Sequence, residues 1–464
     1  MAISLDRRNV AWMFEGTLAF APIVGGSSRK ILEHVRSADW FADGSGPAIV
    51  RRVDGKDRLE FPIGKVLKET MTAGYISHPR ISPAGDVVAY LDRPRLGDNR
   101  GYVAIVTIDG RKQRLTAEWA GEEGLAWSPD GREIWFTANM GGRCELIGVT
   151  PERILRQIWS VPIDLIILDT FPDGKVLVTA TTSRSEAYLL GPGEFRQRNI
   201  SWLSNAGLHD LSMDGKTVLF TRYDEGSGPN YEVGVRRIDD PTCVSLGHGS
   251  GVQLSPDGQW VLTIFPSESS QLMLFPTGGP ETRNLTVAGF RYLTGGWFPD
   301  GKRILFIAEE GGQAPACYVQ EVAGLTPRRI KAPVPSLITE YGVRVSPDPK
   351  WFTAVQAEGK PNVIPLEGGA PVLLQNLGET DWPIGWSSDG RALFVARNLP
   401  DRLGTLIVRF DLATGVMTAT KQIEPPDAAG MWYRPVCGLT PDGKTMVYEV
   451  GRYLTDLYLV EGLK

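Results

Sequence analysis

Apolar and polar residues along this chain follow one repeating pattern, in which a tight turn separates two short apolar strands. The stretch Leu125–Thr137 shows this unit, with Ser128-Pro129-Asp130-Gly131 lying between two runs that contain Trp, Ile and Phe. Proline presets the first turn dihedral, aspartate can accept hydrogen bonds from turn amides, and glycine adopts a positive φ without strain. The pattern therefore predicts an antiparallel strand pair at each copy.

The turn recurs ten times, with its fourth positions 41 to 53 residues apart. The copies are Phe41–Gly44, Ser82–Gly85, Ser128–Gly131, Phe171–Gly174, Ser212–Gly215, Ser255–Gly258, Phe298–Gly301, Ser346–Pro349, Ser387–Gly390 and Thr440–Gly443. A period in the forties, with four strand-sized segments per copy, is typical of β-propeller blades. Since no amphipathic helix is evident, we predict an all-β fold made of tandem β-propellers with four-stranded antiparallel blades.

The strand after the turn at Phe298 indicates how the blades pack. Residues Ile304–Ile307 are apolar at every position, as expected of a sheet that lies between two neighbouring sheets. Four tryptophans occupy one position immediately before their turns: Trp40, Trp127, Trp297 and Trp386. We expect these side chains to pack between blades.

The two ends of the sequence depart from the repeat. Segments 2–5, 16–23 and 28–32 resemble the second, third and fourth strands of a blade whose first strand would lie before Met1. At the other end, segments 436–440, 446–450 and 456–460 supply three further strands.

The predicted sheets are too numerous for one ring. Ten turns and the initial fragment give eleven sheets, whereas one ring typically holds about four to eight blades. We predict an N-terminal propeller over residues 1–204, with four whole blades and a partial one. Residues 205–464 are predicted to form a six-bladed C-terminal propeller.

Composition and charge exclude some partners. The net charge of −5 is spread along the chain without a basic stripe, which argues against binding to nucleic acid. No apolar run approaches the roughly 18 residues of a membrane-spanning helix, so we predict no membrane insertion and no signal peptide. The four cysteines are far apart and are predicted to be small core residues.

Three longer stretches carry a family resemblance: Arg58–Lys65, Ile76–Arg80 and Asp456–Leu463. With the repeated turns, they make the chain resemble the TolB-like, WD-repeat-like propellers that form the C-terminal sensor region of membrane-anchored serine/threonine kinases of acidobacteria. The resemblance covers essentially the whole chain and implies a sensor role.

In that family the propeller begins about one blade earlier, after a kinase domain and a membrane span, which this sequence lacks. Restoring one blade and the missing strand would give two six-bladed rings. The family architecture implies a periplasmic or extracytoplasmic location, whereas a true start at Met1 implies a cytoplasmic one.

Catalytic and cofactor motifs are scarce in this sequence. Gly438–Thr445 matches the phosphate-binding pattern G-x-x-x-x-G-K-T, but it falls on a strand, a turn and a strand instead of opening a helix. The sequence contains neither kinase motifs nor the G-x-S-x-G of serine hydrolases. The four histidines, His34, His78, His209 and His248, lack metal-ligand spacing. We therefore predict no cofactor, no metal and no enzymatic activity.

A candidate binding site lies just before the innermost strands of the C-terminal propeller. Its members are mostly aromatic side chains with polar tips: His209, His248, Tyr292, Tyr341, Trp382, Trp432, Tyr433 and Arg434. Such side chains at a channel mouth are suited to holding a peptide or a small polar ligand. Packing of loops over the blade ends is the alternative explanation.

The sequence thus favours a non-enzymatic binding or sensor module for a protein, peptide or small envelope ligand. Two alternatives stay open. One is a hydrolase or lyase that uses residues lining the channel, and the other is a TolB-like scaffold within an envelope complex.

Overall fold

The computed structural model describes most of the chain. It covers residues 2–463 except 4–8, 15, 23–26, 42–45, 71–73, 95–97, 120, 140–142, 195, 204, 224–229, 266–269, 336–341, 356–360, 379–380, 400–403, 426, 428 and 434–435. These residues contain β-strands and turns but no helix, so the predicted all-β class is confirmed. Consequently no helix in the described part of the chain is long and apolar enough to cross a membrane.

The chain folds into two compact units. Unit 1 comprises residues 1–182 and 455–464, and unit 2 comprises residues 183–454. The sequence-based division put residues 183–204 in the N-terminal propeller and residues 455–464 in the C-terminal one. The structure assigns residues 183–204 to unit 2 and residues 455–464 to unit 1. The chain passes from unit 1 to unit 2 within one strand and returns within another.

Unit 1 contains four four-stranded antiparallel sheets and a fifth, smaller one. The first four sheets are β1 (Ala2–Ile3), β2 (Asn9–Phe14), β3 (Thr17–Pro22) and β4 (Arg29–Leu32); β5 (Val35–Trp40), β6 (Pro47–Val53), β7 (Lys56–Glu60) and β8 (Val66–Glu69); β9 (Tyr75–Ile81), β10 (Val87–Arg93), β11 (Tyr102–Thr107) and β12 (Lys112–Arg114); β13 (Glu122–Trp127), β14 (Ile134–Asn139), β15 (Cys144–Val149) and β16 (Leu155–Val161). The fifth contains β17 (Asp164–Thr170) and parts of β18 (Val176–Leu190) and β41 (Met446–Val460).

The first sheet differs from its predicted form. The sequence assigned segments 2–5, 16–23 and 28–32 to the second, third and fourth strands, but the apolar segment Asn9–Phe14 is also a strand. It pairs with β1 on one side and with β3 on the other. The described sheet therefore has four strands, with β1 as its first.

Unit 2 contains six sheets. Strands from β19 onward are β19 (Arg198–Asn199), β20 (Ala206–Leu211), β21 (Thr217–Arg222), β22 (Glu232–Arg237), β23 (Cys243–His248), β24 (Ser250–Leu254), β25 (Trp260–Ile264), β26 (Leu272–Pro276), β27 (Arg283–Asn284), β28 (Phe290–Trp297), β29 (Arg303–Glu310), β30 (Ala316–Glu321), β31 (Arg328–Arg329), β32 (Trp351–Val355), β33 (Pro361–Pro365), β34 (Val372–Leu373), β35 (Asp381–Trp386), β36 (Ala392–Asn398), β37 (Thr405–Asp411), β38 (Met417–Ile423), β39 (Met431–Tyr433) and β40 (Val436–Leu439). Five sheets are successive meanders that begin at β20, β24, β28, β32 and β35.

The sixth sheet closes unit 2 into a ring. It combines β40 and the first part of β41 with the second part of β18 and with β19. One of its faces contributes Leu189 and Val447 to a core shared with Leu208 and Phe220 of the first sheet. Its other face packs against the fifth sheet. Because both chain segments meet in one sheet, the ring is a closed six-bladed β-propeller.

The long strands β18 and β41 were not predicted. The sequence placed separate strands at 446–450 and 456–460, but β41 runs through all fifteen residues from Met446 to Val460. Its first part lies in unit 2, where Tyr448 stacks on Tyr188 with ring centroids 5.2 Å apart. Its last part lies in unit 1, where Val460 packs against the core beneath β17.

The cores lie between neighbouring sheets, as the sequence predicted. In β29, every residue from Ile304 to Ala308 is fully buried, because apolar side chains cover both faces of the strand. Burying one such Ile, Leu or Phe side chain contributes about 1.5–3 kcal/mol. The predicted interblade role of the tryptophans is confirmed at Trp297, which packs in the core shared by the second and third sheets of unit 2.

The turns have the predicted geometry where the structure describes them. In the turn at Ser128, the Gly131 amide donates to the Ser128 carbonyl at 2.8 Å. The Ser128 hydroxyl also donates to Asp130 at 2.6 Å, and the same Oγ accepts the Glu133 amide at 3.0 Å. Residues 42–44 of the predicted turn at Phe41 lie outside the described part.

Candidate functional site

Residues at one position of the repeat line the channel at the centre of unit 2. This channel position lies two residues before the first residue of each turn. In unit 2 its occupants are Asp210, Gln253, Gly296, Arg344, Gly385 and Gly438. A β-bulge immediately precedes the position in β20, β24, β35 and β40. Bulges bend a strand and redirect its side chains, so this irregularity helps aim the channel position inward.

Two oppositely charged channel residues meet across the ring. Asp210 belongs to the first sheet of unit 2 and Arg344 to the fourth, yet Oδ1 of Asp210 lies 3.1 Å from Nη2 of Arg344. The aspartate also accepts the Leu254 amide at 2.9 Å. Burial raises the pKa of Asp210, and the positive charge of Arg344 opposes that rise. The pair therefore occupies the middle of the channel as a mostly buried ion pair.

Residues of its own blade and of the next blade hold Arg344 in place. Its amide donates to the Thr353 hydroxyl at 3.2 Å, and its carbonyl accepts the indole N–H of Trp386 at 2.9 Å. The channel is also narrow, because Gly296 and Gly438 allow backbones to approach closely. A Cβ on Gly296 would lie 2.0 Å from the Val343 carbonyl oxygen. The Asp210–Arg344 pair and the closely packed backbones therefore close the channel at its centre.

Unit 1 also has an Asp–Arg pair at this sequence position, but there the two residues lie in neighbouring sheets. Arg80 lies 3.7 Å from Asp39, and the second carboxylate oxygen of Asp39 accepts the Ile81 amide at 2.8 Å. The indole N–H of Trp127 donates to the Arg80 carbonyl at 3.1 Å, as Trp386 does to Arg344. Arg80 further donates to the carbonyls of Leu125 and Leu168. Burial raises the pKa of Asp39, and Arg80 opposes this effect.

Two of the predicted site residues, His209 and His248, are linked through two tyrosines. Nε2 of His209 lies 3.1 Å from the hydroxyl of Tyr223. The Tyr223 ring meets the Tyr231 ring edge to face, with centroids 5.1 Å apart. Nδ1 of His248 lies 3.0 Å from the Tyr231 carbonyl. His209 is buried and His248 is exposed, so this network reaches from the channel wall to the surface.

The other predicted residues have different environments. Tyr292 is buried in the core, and its hydroxyl accepts the Val287 amide at 2.8 Å. Trp382 is 36% exposed at the start of β35. Trp432 and Tyr433 lie in β39. Tyr341 and Arg434 lie outside the described residues.

Sequence reasoning missed four residues of this region: Asp210, Arg344, Tyr223 and Tyr231. A signal for the first two was present, since charged side chains recur two residues before the turn in both halves of the sequence. Tyr223 immediately follows β21 and Tyr231 immediately precedes β22, in a connection where the repeat has no fixed residue.

One serine touches a histidine in unit 1. The hydroxyl of Ser77 lies 3.1 Å from Nδ1 of His78, and the same oxygen accepts a hydrogen bond from Nε of Arg93 at 2.9 Å. Burial lowers the pKa of His78 to about 3, which makes this imidazole a weak base. A general base needs a pKa near the working pH, so this contact is poorly suited to activating a nucleophile.

The phosphate-loop match has the structure of an ordinary repeat turn. Its residues comprise the end of β40, a turn in which the Thr440 hydroxyl donates to Asp442 at 2.6 Å, and the residues leading into β41. Within the described residues, no three His, Cys, Asp or Glu side chains converge as metal ligands.

One curated relative is named a peptidase. The uncharacterized peptidase YuxL of Bacillus subtilis (strain 168) is 25% identical over 209 residues, which are 42% of this chain. The match covers 31% of the relative, so the chain spans about a third of its length. No protein-family model matches the chain.

Similar solved structures are propeller-containing proteins of low sequence identity. TolB from Acinetobacter baumannii is 12% identical, with 92% of this chain and 82% of that chain covered and a TM-score of 0.28. A chain from a study of two prolyl endopeptidases is 12% identical, with 78% and 52% covered and a TM-score of 0.33. Because the TM-scores are below 0.5, these likenesses say nothing about function.

The relative corrects one prediction. We expected no enzymatic activity because the sequence lacks kinase and serine-hydrolase motifs, but the relative is named a peptidase. The expectation was therefore wrong. Missing catalytic motifs in these residues were not sufficient grounds to predict a non-enzyme.

Proposed function

We propose that this chain is a peptide-binding propeller of a peptidase-type hydrolase, with the peptide held at the channel mouth of unit 2. The observation that carries the proposal is the network in which Tyr223 and Tyr231 link buried His209 to exposed His248. The peptidase name of the relative supports the choice of ligand.

The chemistry of the mouth suits a peptide. Histidine and tyrosine offer hydrogen-bond donors and acceptors to peptide amides, while aromatic rings provide contact area at a small entropic cost. Trp382 adds an indole that is 36% exposed, and His248 adds an exposed imidazole. Exposed aromatic side chains of this kind are common anchors for a bound chain.

The channel centre limits where the peptide lies. The Asp210–Arg344 pair occupies the channel, and separating the pair would leave two buried charges unpaired. A peptide is therefore held at the mouth and is not threaded through the ring.

The kinase-sensor and envelope-scaffold roles stay predictions. No group of described residues supports either role specifically. Peptide binding is supported by the residues at the channel mouth of unit 2 and by the peptidase name of the relative.

The proposal is tested by measuring peptide binding and cleavage with the purified full chain. Fluorescent peptide pools are titrated in anisotropy measurements, and the same mixtures are analysed by mass spectrometry for cleavage. We expect His248→Ala and Trp382→Ala each to weaken binding about 3- to 10-fold, the equivalent of about 1 kcal/mol.

Met213→Ala is the matched control, because Met213 is 53% exposed in the turn at the opposite end of β20. Binding that is unchanged in both mouth variants, or a chain that binds no peptide, would refute the proposal.

A further inference from the structure

Two arginines of unit 1 share one buried carboxylate. Nη1 of Arg36 lies 3.4 Å from both oxygens of Asp57, and Nη1 of Arg52 lies 3.3 Å from one of them. The Asp57 side chain is fully buried, whereas those of Arg36 and Arg52 are 40% and 26% exposed. Charge-assisted hydrogen bonds of arginine to a carboxylate are normally about 2.7–2.9 Å long. The single Asp57 carboxylate is thus shared by two guanidinium groups at distances longer than normal.

Arginines at one nearby position of the repeat have their own carboxylates. Arg51, Arg222 and Arg397 occupy this position, near the end of the second strand of their sheets. Arg51 lies 2.6 Å from Glu60, Arg222 lies 2.6 Å from Glu232, and Arg397 lies 2.7 Å from Asp381. By contrast, Arg36 and Arg52 divide the single negative charge of Asp57 between two guanidinium groups.

The Arg36 guanidinium keeps unused donors. Its hydrogen bonds to described residues run through Nη1, and an arginine carries five N–H donors in a planar fork. The Tyr75 ring lies 6.0 Å from Cζ of Arg36 and supports the cation from one side. Arg52 also donates through Nη2 to the Gly55 carbonyl at 2.7 Å, which fixes its orientation.

Among the described residues, Asp57 is the one carboxylate within 4 Å of Arg36 or Arg52. Arg93 also lies over the Tyr75 ring, with Cζ 5.5 Å from the centroid, and has the Glu123 carboxylate at 3.9 Å. At Arg36 and Arg52 themselves, a single negative charge therefore stands against two positive ones.

We propose that Arg36 and Arg52 form a binding site for a carboxylate, and that the ligand is the free C-terminus of a peptide. A carboxylate matches the planar fork of arginine, and Asp57 already demonstrates the fit of this group between the two side chains. The ligand carboxylate supplies the second negative charge that the arrangement lacks. This proposal rests on the proposed function for the choice of a peptide, but not on the mouth of unit 2.

The test is calorimetric titration of the full chain with N-acetyl-trialanine, either as the free acid or as the C-terminal amide. We expect the free acid to bind at least about tenfold more tightly than the amide, which corresponds to the loss of one charge-assisted hydrogen bond. Arg36→Gln and Arg52→Gln should each remove most of that difference. Each single variant retains one arginine beside Asp57, so the fold should persist, and melting curves check this.

Arg58→Gln is the matched control. Arg58 lies in the same sheet, its side chain is 29% exposed, and it has Glu69 as a partner at 2.7 Å. Asp57→Asn supplies a second readout, because it removes the competing internal carboxylate. It should strengthen free-acid binding several-fold, whereas a merely structural role of the arginines would not.

The outcomes separate this proposal from the proposed function. Equal binding of acid and amide, or preference for inorganic phosphate over the free acid, would overturn the carboxylate site even if peptides bind at the mouth of unit 2. Binding of the free acid that is lost in Arg36→Gln but unchanged in His248→Ala and Trp382→Ala would support the carboxylate site and refute the proposed function.

Discussion

At the scale of single residues, Glu122 is the clearest case of an ionisable side chain that is buried without hydrogen bonds among the described residues. It is fully buried at the start of β13, and neither carboxylate oxygen has a hydrogen-bond partner among the described residues. Burial raises its pKa to about 8, although Arg93 opposes the rise. The side chain is therefore mainly protonated at neutral pH.

This burial predicts a pH-dependent stability of unit 1. A carboxyl group whose folded pKa is raised stabilises the fold fully below its unfolded pKa, near 4.5, and loses that contribution as the pH rises through about 8. Glu122→Gln should flatten the decline in melting temperature between pH 5 and pH 9. Thermal melts across that range check this, and an equally steep decline in the variant would contradict it.

The Asp210–Arg344 pair gives a second prediction for single residues. Arg344→Met leaves the Asp210 carboxylate buried without its counter-charge, which typically costs about 3–5 kcal/mol. Urea unfolding should show this loss in the transition of unit 2. Arg303→Met is the control, since Arg303 is 37% exposed and pairs with Asp300 at the surface. A loss below about 1 kcal/mol would show that the channel pair contributes little.

At the scale of elements, the repeated turn carries most of what the sequence could predict. Glycine at its fourth position has a positive φ in the described copies, including 76° at Gly85 and 70° at Gly258. The surroundings differ, however. A Cβ on Gly85 would lie 2.4 Å from the Phe41 ring, whereas a Cβ on Gly258 would meet no atom within 4 Å.

These two glycines allow strain and clash to be separated. Gly258→Ala should cost about 1 kcal/mol, because only the backbone conformation is strained. Gly85→Ala should cost about 1–3 kcal/mol more, because the Phe41 ring must also move. Chemical denaturation of both variants measures the difference, and equal losses would mean that the ring yields freely.

The turn pattern also shows where sequence reasoning stopped. Strand, turn and strand repeat with a fixed spacing, so hairpins such as those around Ser128 could be predicted from local residues. The fifteen-residue strands β18 and β41 could not, because their partners lie more than 250 residues apart in the sequence, as Ser185 and Glu449 do. The same limit hid the Asp210–Arg344 pair, since its two residues belong to different repeats.

The candidate site was only partly predictable for a related reason. His209 and His248 were selected because they lie just before innermost strands of the predicted C-terminal propeller. Tyr292 was selected by the same positional argument, but the structure places it in the core. Position before an inner strand thus does not decide whether a side chain points to the mouth or to the neighbouring sheet.

At the scale of the whole molecule, the return of the chain to unit 1 predicts the effect of a truncation. Removing residues 455–464 would take β41 from the fifth sheet and Val460 and Leu463 from the core around Leu165 and Val176. Hydrogen exchange should increase in β17 and the first part of β18, while the first five sheets of unit 2 keep their protection. Uniform loss of protection in both units would contradict this.

The path of β41 also bears on how the protein is made. Unit 2 consists of one continuous segment, 183–454, so all of its strands have been synthesised before residue 455 is added. Unit 1 contains the earliest residues, but its fifth sheet needs residues 455–460. Domains usually fold during translation in the order of their synthesis. Here the half that the ribosome makes first is the half that is completed last, so its open fifth sheet must avoid aggregation while the rest of the chain is translated.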